Sequence, residues 1–267
     1  MGEGAATARA RARGATTLVA VVWRRTDFSE SSRIVTCLSR EHGRISGLAK
    51  GAHRDHSPFL GRLDFLNEVR VTLSADRGGL RLLLRAELVR ERRALREPAR
   101  FLASSHLAHL CDFAMPDRAE PAVYDLLVGG LNLLELCPTA AIPHIVLGLE
   151  LRYLELLGAL PDLQRCSVCG SSLPAGAFVN SDSPGLVCRT HATPPRRAIS
   201  AAALGLLCTL RATAGREWPD LQPALAPRLA APLPASWLLA ATEQRSRLRH
   251  LVFDAENTRS REREPRT

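Results

Sequence analysis

Two short pairs of residues constrain this chain more than any other feature. Cys166 and Cys169 are separated by two residues, Cys188 and His191 by two more, and 18 residues lie between the pairs. A Cys-x2-Cys turn brings two thiolates toward one point, and a second turn of the same length can add two ligands. Four sulfur and nitrogen ligands suit tetrahedral Zn(II). A disulfide among the three cysteines would leave His191 without a reason. A catalytic zinc keeps three protein ligands and one position open for water. Here four candidates fill the set, so the spacing predicts a closed, structural site with one zinc per chain. The loop has few apolar residues (Leu173, Phe178, Val179, Leu186, Val187), so metal binding is expected to supply much of its stability.

A chain of 267 residues has room for two domains. It contains no run of about 18 apolar residues, so no transmembrane helix is expected. Cys37, Cys111, Cys137 and Cys208 sit in apolar stretches and read as small buried hydrophobes in a reducing compartment. Residues 1–16 lack the apolar segment of a secretory signal. Their composition mimics a transit peptide, but they read as a disordered basic tail, and residues 254–267 as a second disordered tail. The charge is uneven. Residues 1–97 hold 19 basic and 11 acidic side chains, net +8, whereas residues 98–197 are net −2 and residues 198–267 net +3. That asymmetry points to an anionic partner for the first part of the chain.

The hydrophobic pattern changes near Pro98. Before it, short apolar or alternating runs at 17–25, 33–38, 44–49, 66–73 and 80–89 read as five strands separated by turn signals. That is the count of a small closed barrel. After it, apolar residues recur at helical spacing over 98–114, 120–136 and 142–157, the last closed by Gly158. Ser200 is a good N-cap for a helix reaching about Ala214. A connector bearing Pro219, Pro223, Pro227, Pro232 and Pro234 leads to a final helix expected at 236–252. The expected organisation is α+β and multidomain: a barrel domain at 17–97, then a helical domain at 98–253 with the metal loop inserted at 163–192.

Three stretches in this order carry a family likeness: DFSESSRIVTCLSREHGRISGLAKGAHRDHS (27–57), LELRYLELLGALPDLQRCSVCG (149–170) and SPGLVCRTH (183–191). Together they resemble the RecO family of bacterial recombination mediators over roughly residues 17–250. The resemblance implies an N-terminal OB-fold, a helical C-terminal domain and a zinc loop. It implies binding of single- and double-stranded DNA, annealing of complementary strands, and a cytoplasmic, nucleoid-associated location. It also implies work with a RecR-type partner, with the C-terminal tail of single-strand-binding protein and, indirectly, with RecA. Two positions depart from the family pattern. His191 stands where a second Cys-x2-Cys usually ends, and Asp64 lies in GRLDF (61–65) where the family tends to have Gln-Pro.

An OB barrel binds strands through a basic groove and stacking aromatics. The basic candidates are Arg33, Arg44, Lys50, Arg54 and Arg62, with Trp23 and Phe59 as stackers. Each arginine alone reads more readily as a solvated surface residue, and Trp23 more readily as a core residue than as a stacker; the collective charge is the better guide. Arg152, flanked by Leu151 and Tyr153, is a candidate rim cation for an acidic peptide tail, unless it pairs with Glu155 or Glu150. No phosphate loop of the form GxxxxGK[ST] is present, and the leading reading is a non-enzymatic DNA-binding protein with no small-molecule substrate and no membrane partner. The alternatives are a zinc-ribbon scaffold or transcription-type protein without annealing activity, and a zinc-dependent hydrolase. The hydrolase would need a base such as Glu150 or Glu155, which read as a solvated helix face.

Overall fold

The computed structural model describes residues 14–76, 78–115, 118–180, 185–221, 227–243 and 246–253. The expected tail at 254–267, and that at 1–16 except for residues 14–16, lie outside them. Tertiary contacts divide the chain into two units, Met1–Arg96 with Cys111–Val128, and Glu97–Leu110 with Gly129–Thr267.

The first unit is built on five strands: β1 Thr16–Ser29, β2 Ser32–Ser39, β3 Gly43–Ala49, β4 Glu68–Leu73 and β5 Arg81–Arg90. They close into a barrel in the order β1-β2-β3-β5-β4, which is the OB-fold. Length makes the closure possible. β1 runs 14 residues, so Thr16–Val21 can pair with β4 while Ala20–Ser29 pairs with β2. The ring is sealed by parallel pairing of Gly47 and Leu48 with Arg81 and Leu82. Alternation sends Leu18, Ala20, Val22, Val69, Val71 and Leu73 inward, and Phe59 and Leu63 join the same core. Gly47 leaves room for this packing, since a Cβ there would lie 2.7 Å from Leu73 Cδ2 and force that core side chain to shift.

The strand expected from Leu66 begins instead at Glu68. Leu66 turns the chain with φ 63°. Asn67 then staples the bend: its Nδ2 donates to the carbonyls of Gly61 and Arg62, and its Oδ1 accepts from Arg92 N. β1 carries two bulges against β2, between Val22 and Arg24 and between Asp27 and Ser29. Trp23 and Phe28 are therefore the extra residues, freed from strict alternation.

The second unit is helical. Its elements are α1 Pro98–Ala114, α2 Pro121–Leu136, α3 Ile142–Leu156, α4 Ala201–Ala212 and α5 Pro232–Thr242. The end of α1 and the start of α2 belong to the first unit. α3 is buried over most of its circumference, from Ile142 to Leu154. Its Gly148 lets the Trp218 ring approach, and a Cβ there would sit 2.7 Å from the ring. Ser200 caps α4 by accepting from Ala203 N, and Gly158 follows α3 with φ 66°. Among the described residues no helix is long and apolar enough to cross a membrane.

The final helix differs from expectation. It starts at Pro232 and ends at Thr242, where Glu243 turns left-handed with φ 55°, and among the described residues that follow, helix is found at 249–253. Prolines read as a connector instead open helical turns at Pro227–Ala230 and at Pro232. A first-turn proline lacks only an N–H that has no partner within the helix anyway.

Glu150 is also not on a solvated face. It is 1% exposed. Arg249 donates to it from Nε at 2.6 Å and Nη2 at 2.7 Å, and His106 Nε2 lies 2.8 Å away. A carboxylate only accepts, so His106 donates from Nε2, while its Nδ1 lies 2.9 Å from Ser246 Oγ. Burial opposes the charged form of Glu150, but Arg249 and His106 outweigh it and hold the carboxyl below its usual range. Glu155, half-buried, holds Arg152 at 2.9 Å and Arg211 at 2.8 Å.

Removing Arg249 strips a buried carboxylate of its guanidinium partner and leaves it, among the described residues, only the His106 hydrogen bond, so Arg249→Ala is expected to cost about 3–5 kcal/mol near neutral pH. The stability due to Glu150 is present above its unfolded pKa of about 4.3 and is lost as pH falls through the lower folded value. In the variant the carboxyl can neutralise instead. Denaturant unfolding at about pH 7 and about pH 4 should therefore show the gap between the two proteins narrowing in acid. A gap that widens would contradict the pairing.

Candidate metal centre and nucleic-acid interface

The loop after α3 folds around a small antiparallel sheet of order β7-β6-β8, comprising β6 Ala177–Asn180, β7 Leu186–Val187 and β8 Arg196–Ile199. The first turn closes through Gly170 N to Cys166 O at 2.9 Å, with Gly170 at φ 70°. The second closes through His191 N to Cys188 O at 3.1 Å. Ser167 N donates to Leu186 O at 2.8 Å, which ties one turn to the strand that delivers the other. Leu173, Leu186 and Val187 are buried beneath the turns.

Cys166, Cys169, Cys188 and His191 each aim one ligand atom at a common point, all within 4.8 Å of one another. The Cys169 and Cys188 sulfurs are 3.9 Å apart, and His191 Nδ1 lies 3.8 Å from Cys166 Sγ and 3.3 Å from Cys188 Sγ. Zinc bonds of about 2.3 Å to sulfur and about 2.0 Å to nitrogen would make the edges of a tetrahedron about 3.8 Å and about 3.5 Å. The donor set therefore fits a metal ion of this kind, with His191 ligating through Nδ1.

Local fields favour deprotonated sulfur. Burial raises the Cys166 thiol, yet the backbone N–H groups of Cys169, Cys188 and Val168 and the Cys169 thiol bring it down to about 7. The backbone N–H of His191, then its ring, lower Cys188 to about 6. Hydrogen bonds to Cys188 and then Cys166 raise His191 in turn. Outside the loop, burial pushes the Cys37 thiol up to about 12 and raises Cys111, which suits inert core thiols.

The basic candidates of the barrel lie in different settings. Arg33 and Arg44 stand on β2 and β3, while Lys50 and Arg54 follow β3. Arg33 Nε donates to Asp27 at 2.9 Å, and Arg44 Nη1 donates to Asp112 at 3.2 Å. Asp112 is a buried carboxylate that also takes Arg24 Nη2 at 3.0 Å. Arg62 Nη1 donates to Ala86 O at 2.9 Å. Lys50 and Arg54 are exposed, and among the described residues neither is paired with a carboxylate. Arg33, Arg44, Lys50 and Arg54 thus lie along β2, β3 and the segment after β3, whereas Arg62 is tied to the β5 carbonyl of Ala86.

Both expected stackers are core residues. Phe59 is 6% exposed inside the barrel cluster. Trp23 is 8% exposed, its ring tilted against Phe65 at 5.7 Å between centroids. The first bulge frees Trp23 from strict alternation and it packs inward, as a core tryptophan, the more readily expected of its two readings. Arg152 is engaged within its own unit, donating to Glu155 and, from Nη2, to the carbonyls of Arg211 at 2.9 Å and Thr213 at 3.3 Å. It ties α3 to the end of α4. The buried His106–Glu150–Arg249 group escaped sequence reasoning because its members are far apart in the chain.

Comparison with known proteins gives this architecture a lineage. The family profile described as "Recombination protein O N terminal" matches residues 15–92, and "Recombination protein O C terminal" matches residues 95–222. The DNA repair protein RecO of Rhodopirellula baltica is 33% identical over 211 residues, covering 77% of this chain and 76% of that protein. That of Nocardioides sp. is 30% identical over 228 residues, covering 83% and 90%. That of Bifidobacterium longum subsp. infantis is 30% identical over 222 residues, covering 81% and 90%. With both halves matched in order over a closed barrel and a helical unit, the chain belongs to the RecO family of DNA repair proteins.

Proposed function

We propose that this protein is a non-enzymatic mediator of DNA repair and recombination, which binds single- and double-stranded DNA and anneals complementary strands. The observation that carries the reading is the closed β1-β2-β3-β5-β4 barrel in a chain matched to the family along both halves. An OB barrel binds strands on its β2–β3 face and adjoining loops. Annealing requires no nucleophile. Its barrier is phosphate repulsion and residual single-strand structure, and a basic surface lowers both. We assign the DNA contacts to Arg33, Arg44, Lys50, Arg54 and Arg62, within a DNA-binding domain at 17–97. Lys50 and Arg54 are the most available, whereas Arg33 and Arg44 must share their guanidinium groups with Asp27 and Asp112.

In this reading the ion held by Cys166, Cys169, Cys188 and His191 is one structural Zn(II). Four protein ligands leave no position for a reacting water, and the group joins two turns that little apolar surface holds together. We assign partner binding to the helical domain at 98–253: a RecR-type protein, the tail of single-strand-binding protein and, through them, loading of RecA. The support is family membership and the excess of acidic residues at 98–197. Arg152 fits that role only by exchanging its bond to Glu155 for one to the tail. A cytoplasmic, nucleoid-associated location follows from the same reading.

Metal analysis should find one zinc per chain. Cys169→Ser should release it and lower the unfolding midpoint by at least about 4 °C. Metal affinity should weaken as pH falls through the range of the Cys166 and Cys188 thiols, because protons compete for the ligands. Metal-free protein whose melting is unaffected by Cys169→Ser would refute the structural zinc.

DNA affinity measured across salt concentrations should fall with a negative log–log slope, and Lys50→Ala should shallow that slope by about 0.7 on single strands. Annealing of complementary oligonucleotides should proceed without nucleotide hydrolysis. Binding without annealing would favour the scaffold reading. Metal-dependent cleavage of a substrate would favour the hydrolase.

A further inference from the structure

Phe28 has no role in the barrel core, yet the fold places it deliberately. It is the extra residue of the second bulge in β1, where Asp27 pairs with Arg33 and Ser29 with Ser32. Bulges re-aim side chains, and here the two bulges of one strand act in opposite senses. The first turns Trp23 into the protein. The second leaves Phe28 59% exposed, beside the β1–β2 turn. Among the described residues of the five barrel strands, these two are the aromatics.

The surroundings are built rather than loose. Asp27, next to Phe28, accepts from Arg33 Nε at 2.9 Å and lies 3.0 Å from His53 Nε2. His53 N donates to Ser31 O at 3.2 Å, which fastens the segment after β3 to the β1–β2 turn. Ala49 pairs with Arg33 across β2 and β3, so Lys50 follows directly beside this corner. The hydrogen bond from Arg33 holds the Asp27 carboxyl below its usual range. That carboxylate is thus occupied by Arg33 and His53. Exposed Glu30 and Asp55 are close in sequence, so the corner as a whole is near neutral. The exposed Phe28 ring offers an apolar face that suits a base, and the exposed Lys50 and Arg54, which follow β3 beside this corner, can take the flanking phosphates.

We infer that Phe28 is a stacking platform for one base of single-stranded DNA at the β1–β2 end of the barrel. The inference rests on the proposed DNA binding and adds to it a named contact and a preference for unpaired bases, whose faces a duplex hides.

The test uses the full-length, metal-loaded protein with a labelled oligo-dT strand and the same strand carrying abasic sites. Phe28→Ala should weaken binding to oligo-dT about 5- to 100-fold, the range for loss of one stacked base. It should leave the salt slope unchanged, because no phosphate contact is lost. On the abasic strand Phe28→Ala should bind like wild type. Phe28→Tyr should retain affinity for oligo-dT, and the added emission of Phe28→Trp should be quenched by oligo-dT but not by the abasic strand. Equal oligo-dT binding by wild type and Phe28→Ala, an equal loss on both strands, or an unquenched Phe28→Trp would overturn the stacking role while leaving DNA binding in place. Wild-type protein that binds neither strand would remove the DNA-binding reading and this inference together.

Discussion

Closing a five-stranded sheet on itself is the constraint from which the first unit follows. A ring this small must be filled by its own side chains, and alternation along β1, β4 and β5 supplies them. Closure needs one strand long enough to pair on both sides, and β1 provides it. The two bulges of β1 bend this long strand and add local twist, which helps it follow the curve of the ring. The bulges in turn decide which aromatic packs inside and which faces solvent. The arginines are arranged around the same ring. Arg33 from β2 answers Asp27 on β1, while Arg24 and Arg44 meet on the buried carboxylate of Asp112.

The second unit relies on a different kind of closure. α3 is surrounded, so it can bury a charged residue only if partners are delivered to it. Glu150 receives Arg249 and His106, and the short C-terminal helical segment is thereby held to the middle of the unit. At its far end α3 leads into the loop where a metal ion can do what apolar burial cannot. The turns around Cys166 and Cys188 are short and polar, joined by the Ser167–Leu186 hydrogen bond. The two devices follow the same rule: local sequence too polar to pack is fixed by strong, directional bonds.

Much of this was legible in the sequence, for identifiable reasons. The five strands and first three helices carry clean periodicity, and their expected bounds agree with the structure to within a few residues. The candidate metal ligands are legible because their geometry is set by turns of fixed length. The rest depended on distant contacts. Glu150 read as solvated because Arg249 lies 99 residues away. Trp23 read more readily as core than as a stacker, and it is core. Phe59 read as a possible stacker because it lies in the turn-rich segment after β3, and only the barrel's closure shows that it fills the interior. Phe28 did carry a signal, as a lone aromatic inside the polar run 24–33. The final helix was misplaced because prolines that open helices look, in sequence, like prolines that break them.

The central claim is that the barrel, at its β1–β2 and β3 edges, is the surface that holds single-stranded DNA, while the metal loop serves the helical unit. Amide hydrogen exchange of the full-length protein, with and without saturating oligo-dT, tests this most directly. The account expects new protection at residues 26–34 and 49–55, with residues 166–191 unchanged. Protection concentrated in the metal loop or on α3 and α4, with the barrel unaffected, would contradict it.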